Sequence, residues 1–337
     1  DLLCGKDPDA FLSGLKGERL VYGHIHGSPE LKKGIAGLYR DLTPEDVVPT
    51  HGGISANHMV IATLVDRGDN VVTVLPTYQQ HYSIPESIGA EVRQLWLKKE
   101  NEFVPDLLEM EALIDENTKL ISICNPDNPT GAFVPEDVMM EIVKMADKVG
   151  AYILCDEAYR GISEDGSYMY SIADLYDKGI STSSMSKVFG LAGLRIGWIA
   201  TKDQEIMKQF CGRRDYDTIS CGYIDDILAS LALAHKDKLY ERNAKILLEG
   251  RNVLDKWVKE TEGVDYVRPV AGTTALVYYD KDIPSFDFCV RLVKERGVLT
   301  TPGSCFEMEH CIRIGYAFSP DVLQKGLDII AGLLKEI

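Results

Sequence analysis

No run of apolar residues in this 337-residue chain reaches the roughly 18 that a membrane-spanning helix needs, and no signal-like segment opens it. The pattern therefore points away from the bilayer. Positive charge is scarce: 36 Lys and Arg stand against 52 Asp and Glu, a net charge of −16. That balance argues against a nucleic-acid backbone or an anionic membrane surface as a partner. The acidity is spread along the chain, so it says little about a substrate. Repeats and low-complexity stretches are absent. The eight cysteines lack the spacing of a disulfide framework or a zinc site, and Cys124, Cys155 and Cys289 sit inside apolar runs. Reduced, buried thiols in the cytoplasm and no bound metal are the expectation. The chain also lacks an initial methionine. It opens on Asp1, which leads us to expect a native N-terminal portion ahead of this numbering. What remains is an ordinary globular composition, 45% hydrophobic and 26% charged, long enough for one large domain and a smaller one.

The most informative stretch runs from Ser183 to Gly197, reading SSMSKVFGLAGLRIG. Small polar residues lead to Lys187, and Arg195 follows eight positions on. Such an arginine can grip a phosphate through parallel N–H bonds, with Ser184 and Ser186 adding neutral donors. An amine beside fixed positive charge loses its proton more easily and becomes a nucleophile. A loop with a surface lysine and a structural arginine would be written with the same letters.

Ser184-x-Ser186-Lys187 followed by Gly193-x-Arg195-x-Gly197 resembles the cofactor-lysine motif of class I/II aminotransferases, fold-type I enzymes that use pyridoxal 5′-phosphate. Other stretches extend the resemblance in family order. Val47-Val48-Pro49-Thr50 reads as extended chain and ends at a glycine turn that opens a helix. Such a turn offers unpaired N–H groups and the positive end of a helix dipole. The family's phosphate cup falls here, making Gly53, Ile54 and Ser55 candidates, although Ile54 is bulkier than the residue usual in the cup. The strand 69–75 runs into Pro76-Thr77-Tyr78, and Tyr78 matches the aromatic stacked on the cofactor ring. Asn125-Pro126-Asp127-Asn128-Pro129-Thr130-Gly131 follows an apolar strand and forms a rigid loop where open α/β sheets bind ligands. It is similar to the family's N-P-x-N-P-T-G, in which Asn128 would bond the ring's phenolic oxygen and border the substrate. Asp156 closes the apolar strand 151–155, a costly place for a carboxylate without a cation. The resemblance makes that cation the ring nitrogen and brings Tyr159 to the phenolic oxygen. Arg313 stands inside the apolar strand 311–316, where a planar fork needs an anion. The family uses it for the substrate α-carboxylate. The segment around Tyr22 is similar to one whose tyrosine reaches the neighbouring subunit's cofactor phosphate; a tyrosine packed at a turn would look the same.

Taken together, the resemblance implies an α/β fold, with a mainly parallel seven-stranded-type sheet sandwiched by helices and a smaller C-terminal α/β domain. Residues 29–235 are expected to form the cofactor-binding domain, and 1–28 plus 236–337 the small one. The N-terminal arm of the relatives is short or missing. Expected elements include helices over 7–15, 29–39 and 286–296, a polar stretch over 162–178 and a strand over 298–300. The implied activity is transfer of an amino group from an α-amino acid to a 2-oxo acid, with Lys187 holding the cofactor as an aldimine, in a homodimer with shared sites. The alternative is another reaction at that site: β-elimination by a C–S lyase, decarboxylation, or oxidation and cyclisation of a basic amino acid. A cofactor-sensing regulatory module would need a DNA-binding extension that this acidic sequence does not display. Near the expected substrate pocket, Arg213 or Arg214 pointing inward would favour a dicarboxylic substrate, and Asp215 or Asp217 a basic one. Pairing of these charges at the surface would leave both options without support.

Overall fold

The computed structural model describes residues 7–161 and 169–337. Parts of the expected 1–28 segment and of the polar stretch 162–178, namely 1–6 and 162–168, lie outside the described residues. The larger sheet has seven strands: β1 (Val47–His51), β2 (Asn70–Leu75), β3 (Glu91–Trp96), β4 (Thr118–Cys124), β5 (Tyr152–Asp156), β6 (Gly179–Ser184) and β7 (Ile196–Ala200). Their spatial order is β1-β7-β6-β5-β4-β2-β3. Only β7 runs against its neighbours, so the sheet is mainly parallel.

The strands are apolar on both faces because both faces are covered. Leu120, Leu154, Ile180 and Ile199 pack with Ala56, Val60 and Leu64 of helix Gly52–Leu64. Their sequence neighbours Ile121, Ile153 and Cys155 point the other way, onto Ile142 and Ala146 of helix Glu136–Val149. That is the period of two expected of a strand.

A second sheet holds β8 (Val264–Tyr266), β9 (Thr274–Tyr279), β10 (Thr301–Pro302) and β11 (Cys311–Gly315). It is antiparallel throughout, in the order β10-β11-β9-β8. Helices Lys236–Glu260 and Pro320–Glu336 contribute Leu254, Trp257, Leu327 and Ile330 to its core. That core continues through Leu31 and Ile35 of helix Pro29–Ala36 to Trp198 of β7, so the two sheets share apolar packing.

Several expected bounds move. Ser28 does cap its helix, its Oγ accepting from Leu31 N–H at 3.1 Å, but the helix ends at Ala36 and Leu38 and Tyr39 turn inward. The helix expected over 7–15 spans Pro8–Gly14. The strand expected over 298–300 lies at Thr301–Pro302. Leu299 is 86% exposed there, and pairing begins only where Thr301 meets Arg313. The 286–296 helix is Ser285–Arg291 followed by a wider π turn, Leu292–Arg296.

Candidate active site

The parallel strands β4, β5 and β6 end on the same side, and the loops that follow them enclose a cavity of about 430 Å³. Loops leaving parallel strands are where open α/β sheets place ligands. Gly53, Ile54, Tyr78, Asn128, Asp156, Tyr159, Ser184, Ser186, Lys187, Arg195 and Arg313 all line it. Two candidates do not. Ser55 sits one helical position past the lining residues of its turn. Tyr22 is 75% exposed and remote from this wall of the chain.

Lys187 follows β6 on a turn pinned by the buried side chains of Met185, Val188 and Phe189. Asn243 Nδ2 donates to Val188 O at 2.7 Å and fixes the turn from below. The lysine is open to the cavity's own solvent, with Nζ 6.0 Å from the centre of the Tyr159 ring. Burial by the cavity walls, with Arg313 and Arg195 adding repulsion, pushes its amine below the usual lysine range; Asp156 opposes them.

At one end of the cavity the helix Gly52–Leu64 begins without a side-chain cap, and the Arg195 guanidinium crosses its first residue. Gly52 has φ +75°, and a Cβ there would stand 2.5 Å from Arg195 Nη2. The positive φ calls for glycine, whereas the flexible guanidinium tip can move aside. Arg195 itself adopts φ 52°, a left-handed conformation that costs a non-glycine residue energy and recurs at functional positions.

At the other end lies Asp156. Its Oδ1 accepts from Ala158 N–H at 3.0 Å and its Oδ2 from Asn57 Nδ2 at 2.7 Å. His81 Nε2 stands 3.6 Å from Oδ2, while its Nδ1 is 2.7 Å from Ser122 Oγ. Burial raises the Asp156 pKa, but His81, Asn57 and the Ala158 N–H together outweigh it and hold the carboxyl below its ordinary value. Asp156 is therefore an anion at neutral pH. Tyr159 is buried, and that burial pushes its phenol up to about 12, so it keeps its proton. Across the cavity, Arg313 Nη1 donates to Asn128 Oδ1 at 2.8 Å and Nη2 to Thr301 Oγ1 at 3.1 Å.

His81 and Asn57 were not singled out from the sequence. Asn57 carried a signal: it is a polar residue at a core position of an apolar helix, 1% exposed. His81, entirely buried three residues after Tyr78, had none. The charged stretch 213–217 supports neither substrate option, because none of it lines the cavity. It forms the end of helix Gln204–Asp217, and Arg214 is buried with Nε on Pro49 O at 2.8 Å and Nη1 on Ile219 O at 2.7 Å. Arg213 donates to Ala62 O at 2.5 Å. Backbone carbonyls claim both arginines, so neither a substrate side chain nor surface charge pairing does.

The sequence profile of aminotransferase class I and II matches residues 6–330. The chain belongs to that family. Capreomycidine synthase of Streptomyces vinaceus is 30% identical over 306 residues, 90% of this chain and 78% of that protein. An aspartate aminotransferase of Pyrococcus horikoshii is 28% identical, covering 92% of this chain and 82% of its own. A PLP-dependent aminotransferase of Streptococcus suis has a solved structure that superposes with a TM-score of 0.95 at 42% identity, over 99% of this chain and 88% of that one. Enzymes of the family act on small molecules and are generally PLP-dependent. Among the described residues, no helix is long and apolar enough to cross a membrane.

The cavity fits pyridoxal 5′-phosphate by its donor set. Arginine, two serines and an uncapped helix start form one end, a carboxylate poised for a cation forms the other, and a free amine stands between. His81 Nε2 is buried 3.6 Å from that carboxylate without a hydrogen bond.

Proposed function

We propose that this family member transfers the amino group of an α-amino acid to a 2-oxo acid with pyridoxal phosphate in the 430 Å³ cavity. The observation that carries the reading is the Lys187 amine, made less basic by the cavity walls and by Arg313, lining one cavity with that arginine and Asp156. Bound cofactor supplies the carbonyl that takes up an amine and a ring that spreads negative charge. Arg195, Ser184, Ser186 and the backbone of Gly53 and Ile54 hold its phosphate, and Ser55 supports that turn from outside the wall. Asp156 keeps the proton on the ring nitrogen. Asn128 and Tyr159 donate to the phenolic oxygen, and Tyr78 fixes the ring plane. Arg313 grips the substrate carboxylate beside Asn128. Lys187 Nζ takes the Cα proton as a general base, a role that the lowering of its pKa favours.

The exposure of Tyr22 supports its role in a partner subunit's site, which makes a homodimer the functional unit. The two separate sheets support units at 29–235 and at 1–28 plus 236–337, and the reduced cysteine pattern supports a cytoplasmic location.

The capreomycidine synthase likeness favours a second reading, in which the same site cyclises a basic amino acid. Against it, Asp156 is the only acidic residue among the described residues lining the cavity, beside the Arg195 and Arg313 guanidiniums. A single-turnover screen across the amino acids separates the two. Release of one 2-oxo acid per active site supports transamination; a cyclic product without a 2-oxo acid, from arginine or a relative, overturns it.

A further inference from the structure

Five consecutive residues, Tyr78 to Tyr82, divide their contacts among the parts of the site. Tyr78 and Gln80 line the cavity, and Gln80 Nε2 donates to Ile54 O at 2.7 Å. His81 meets Asp156. The remaining two reach across to the smaller sheet. Gln79 Nε2 donates to the Cys305 carbonyl, and the Tyr82 phenol lies beside the Glu307 carboxylate.

Both contacts fall on one short segment, the 3-10 turn Gly303–Phe306 and the residue after it. The turn is fixed to its own sheet. Ser304 N–H donates to Ser285 Oγ at 3.0 Å, and a Cβ on Gly303 would stand 2.4 Å from both Cys311 Sγ and Met308 O. Phe306 is buried on it, its ring centre 5.2 Å from the Arg313 guanidinium carbon. Arg313 thus has one hydrogen bond to the large-sheet side, at Asn128, and one to the small-sheet side, at Thr301. Its aim into the cavity depends on how the two sides are held together. Misplacing a binding group by about 1 Å can weaken a site by about 10²-fold.

We propose that Gln79 and Tyr82 are positioning residues: they clasp the 303–307 turn to the rim of the large sheet, set Phe306 and Thr301, and through them aim Arg313 at the substrate carboxylate. This rests on Arg313 being the carboxylate site. Burial, with the Glu307 charge beside it, pushes the Tyr82 phenol up to about 12, so it keeps its proton at assay pH.

The test uses PLP-loaded Gln79→Met, which keeps the length and removes the donor, and Tyr82→Phe. Each should raise KM for the fastest amino acid about tenfold, the equivalent of one lost hydrogen bond, with kcat changed less than about twofold. Cofactor absorbance should not move. A second readout needs no turnover: alkylation of half-buried Cys305 by iodoacetamide, mapped by peptide mass spectrometry, should run several-fold faster once the turn is unclasped. Unchanged KM with unchanged Cys305 labelling in both variants would overturn the clasp, as would a fall in kcat at constant KM. Arg313→Leu is the control. If it leaves KM unchanged, the carboxylate reading fails and takes the proposal with it. If it raises KM while Gln79→Met and Tyr82→Phe do not, the clasp alone fails. Tyr82→Phe, which deletes only a hydroxyl, carries the test should the glutamine variant not fold.

Discussion

Asp156 and Glu157 are adjacent carboxylates at the end of β5, and they face opposite sides of the sheet. Both side chains are withdrawn from bulk solvent, 13% exposed for Asp156 and 1% for Glu157. Glu157 is saturated: Oε1 accepts from Ser171 Oγ at 2.9 Å and Ile172 N–H at 2.8 Å, and Oε2 from Ser181 Oγ at 2.7 Å with Arg160 Nε at 2.6 Å. Ser181 continues the network to Tyr39 and Trp198. Burial raises the Glu157 pKa, with Arg160 and these donors pulling against it, whereas the Asp156 pKa is lowered. Asp156 has only two hydrogen bonds and His81 at 3.6 Å, leaving acceptor capacity toward the cavity. A buried carboxylate with every lone pair engaged holds the fold together; one left short of partners beside a cavity can hold a ligand.

The largest expected effect lies on the cavity side. Lys187→Ala should lower turnover by about 10⁴-fold or more and remove the borohydride-fixed cofactor adduct. An adduct mapped to another lysine would end this assignment. Next comes Asp156→Ala, expected to fold and bind cofactor while kcat falls on the order of 10²–10⁴-fold. Wild-type turnover in that variant would erase the contrast between the two carboxylates.

On the opposite face the loss should appear in stability. Glu157→Gln leaves Arg160 with a neutral partner, and urea unfolding should show about 3–5 kcal/mol of destabilisation. Activity per folded molecule should stay within about twofold. Equal losses of kcat in Glu157→Gln and Asp156→Ala would break the comparison.

The smallest effect tests a third buried carboxylate. Asp127, in the Asn125–Gly131 loop, is pushed up to about 7 by burial, against the pull of hydrogen bonds from Thr130. Between its unfolded value and about 7 the folded protein binds a proton that the unfolded chain does not. Stability should therefore fall as pH rises through that window, by about 2 kcal/mol between roughly pH 5 and 6.5. Asp127→Asn should remove the slope, and a variant with the wild-type slope would assign it to another group.

Much of the site was visible because its residues lie in short runs whose local chemistry is distinctive. The lysine stretch, the two-proline loop and the aspartate ending an apolar strand each mark a strand end. The mainly parallel sheet was implied by the family resemblance that these runs carry. What escaped were residues recognised only by their surroundings: His81, which meets Asp156 across 75 residues of sequence, and Asn57, which donates to the same carboxylate. Arg214 looked like a charge available to a substrate until Pro49 and Ile219 carbonyls were found to hold it.

The sequence by itself determined the element order, the family, and which residue types sit at the strand ends, since strand periodicity and loop composition are encoded locally. Only the tertiary structure decided how Glu157 is held on the face opposite Asp156, which arginine is spent on the backbone, and which glutamine reaches the 303–307 turn. Hydrogen-bond saturation and burial depend on residues far apart in the chain, and no local pattern records them.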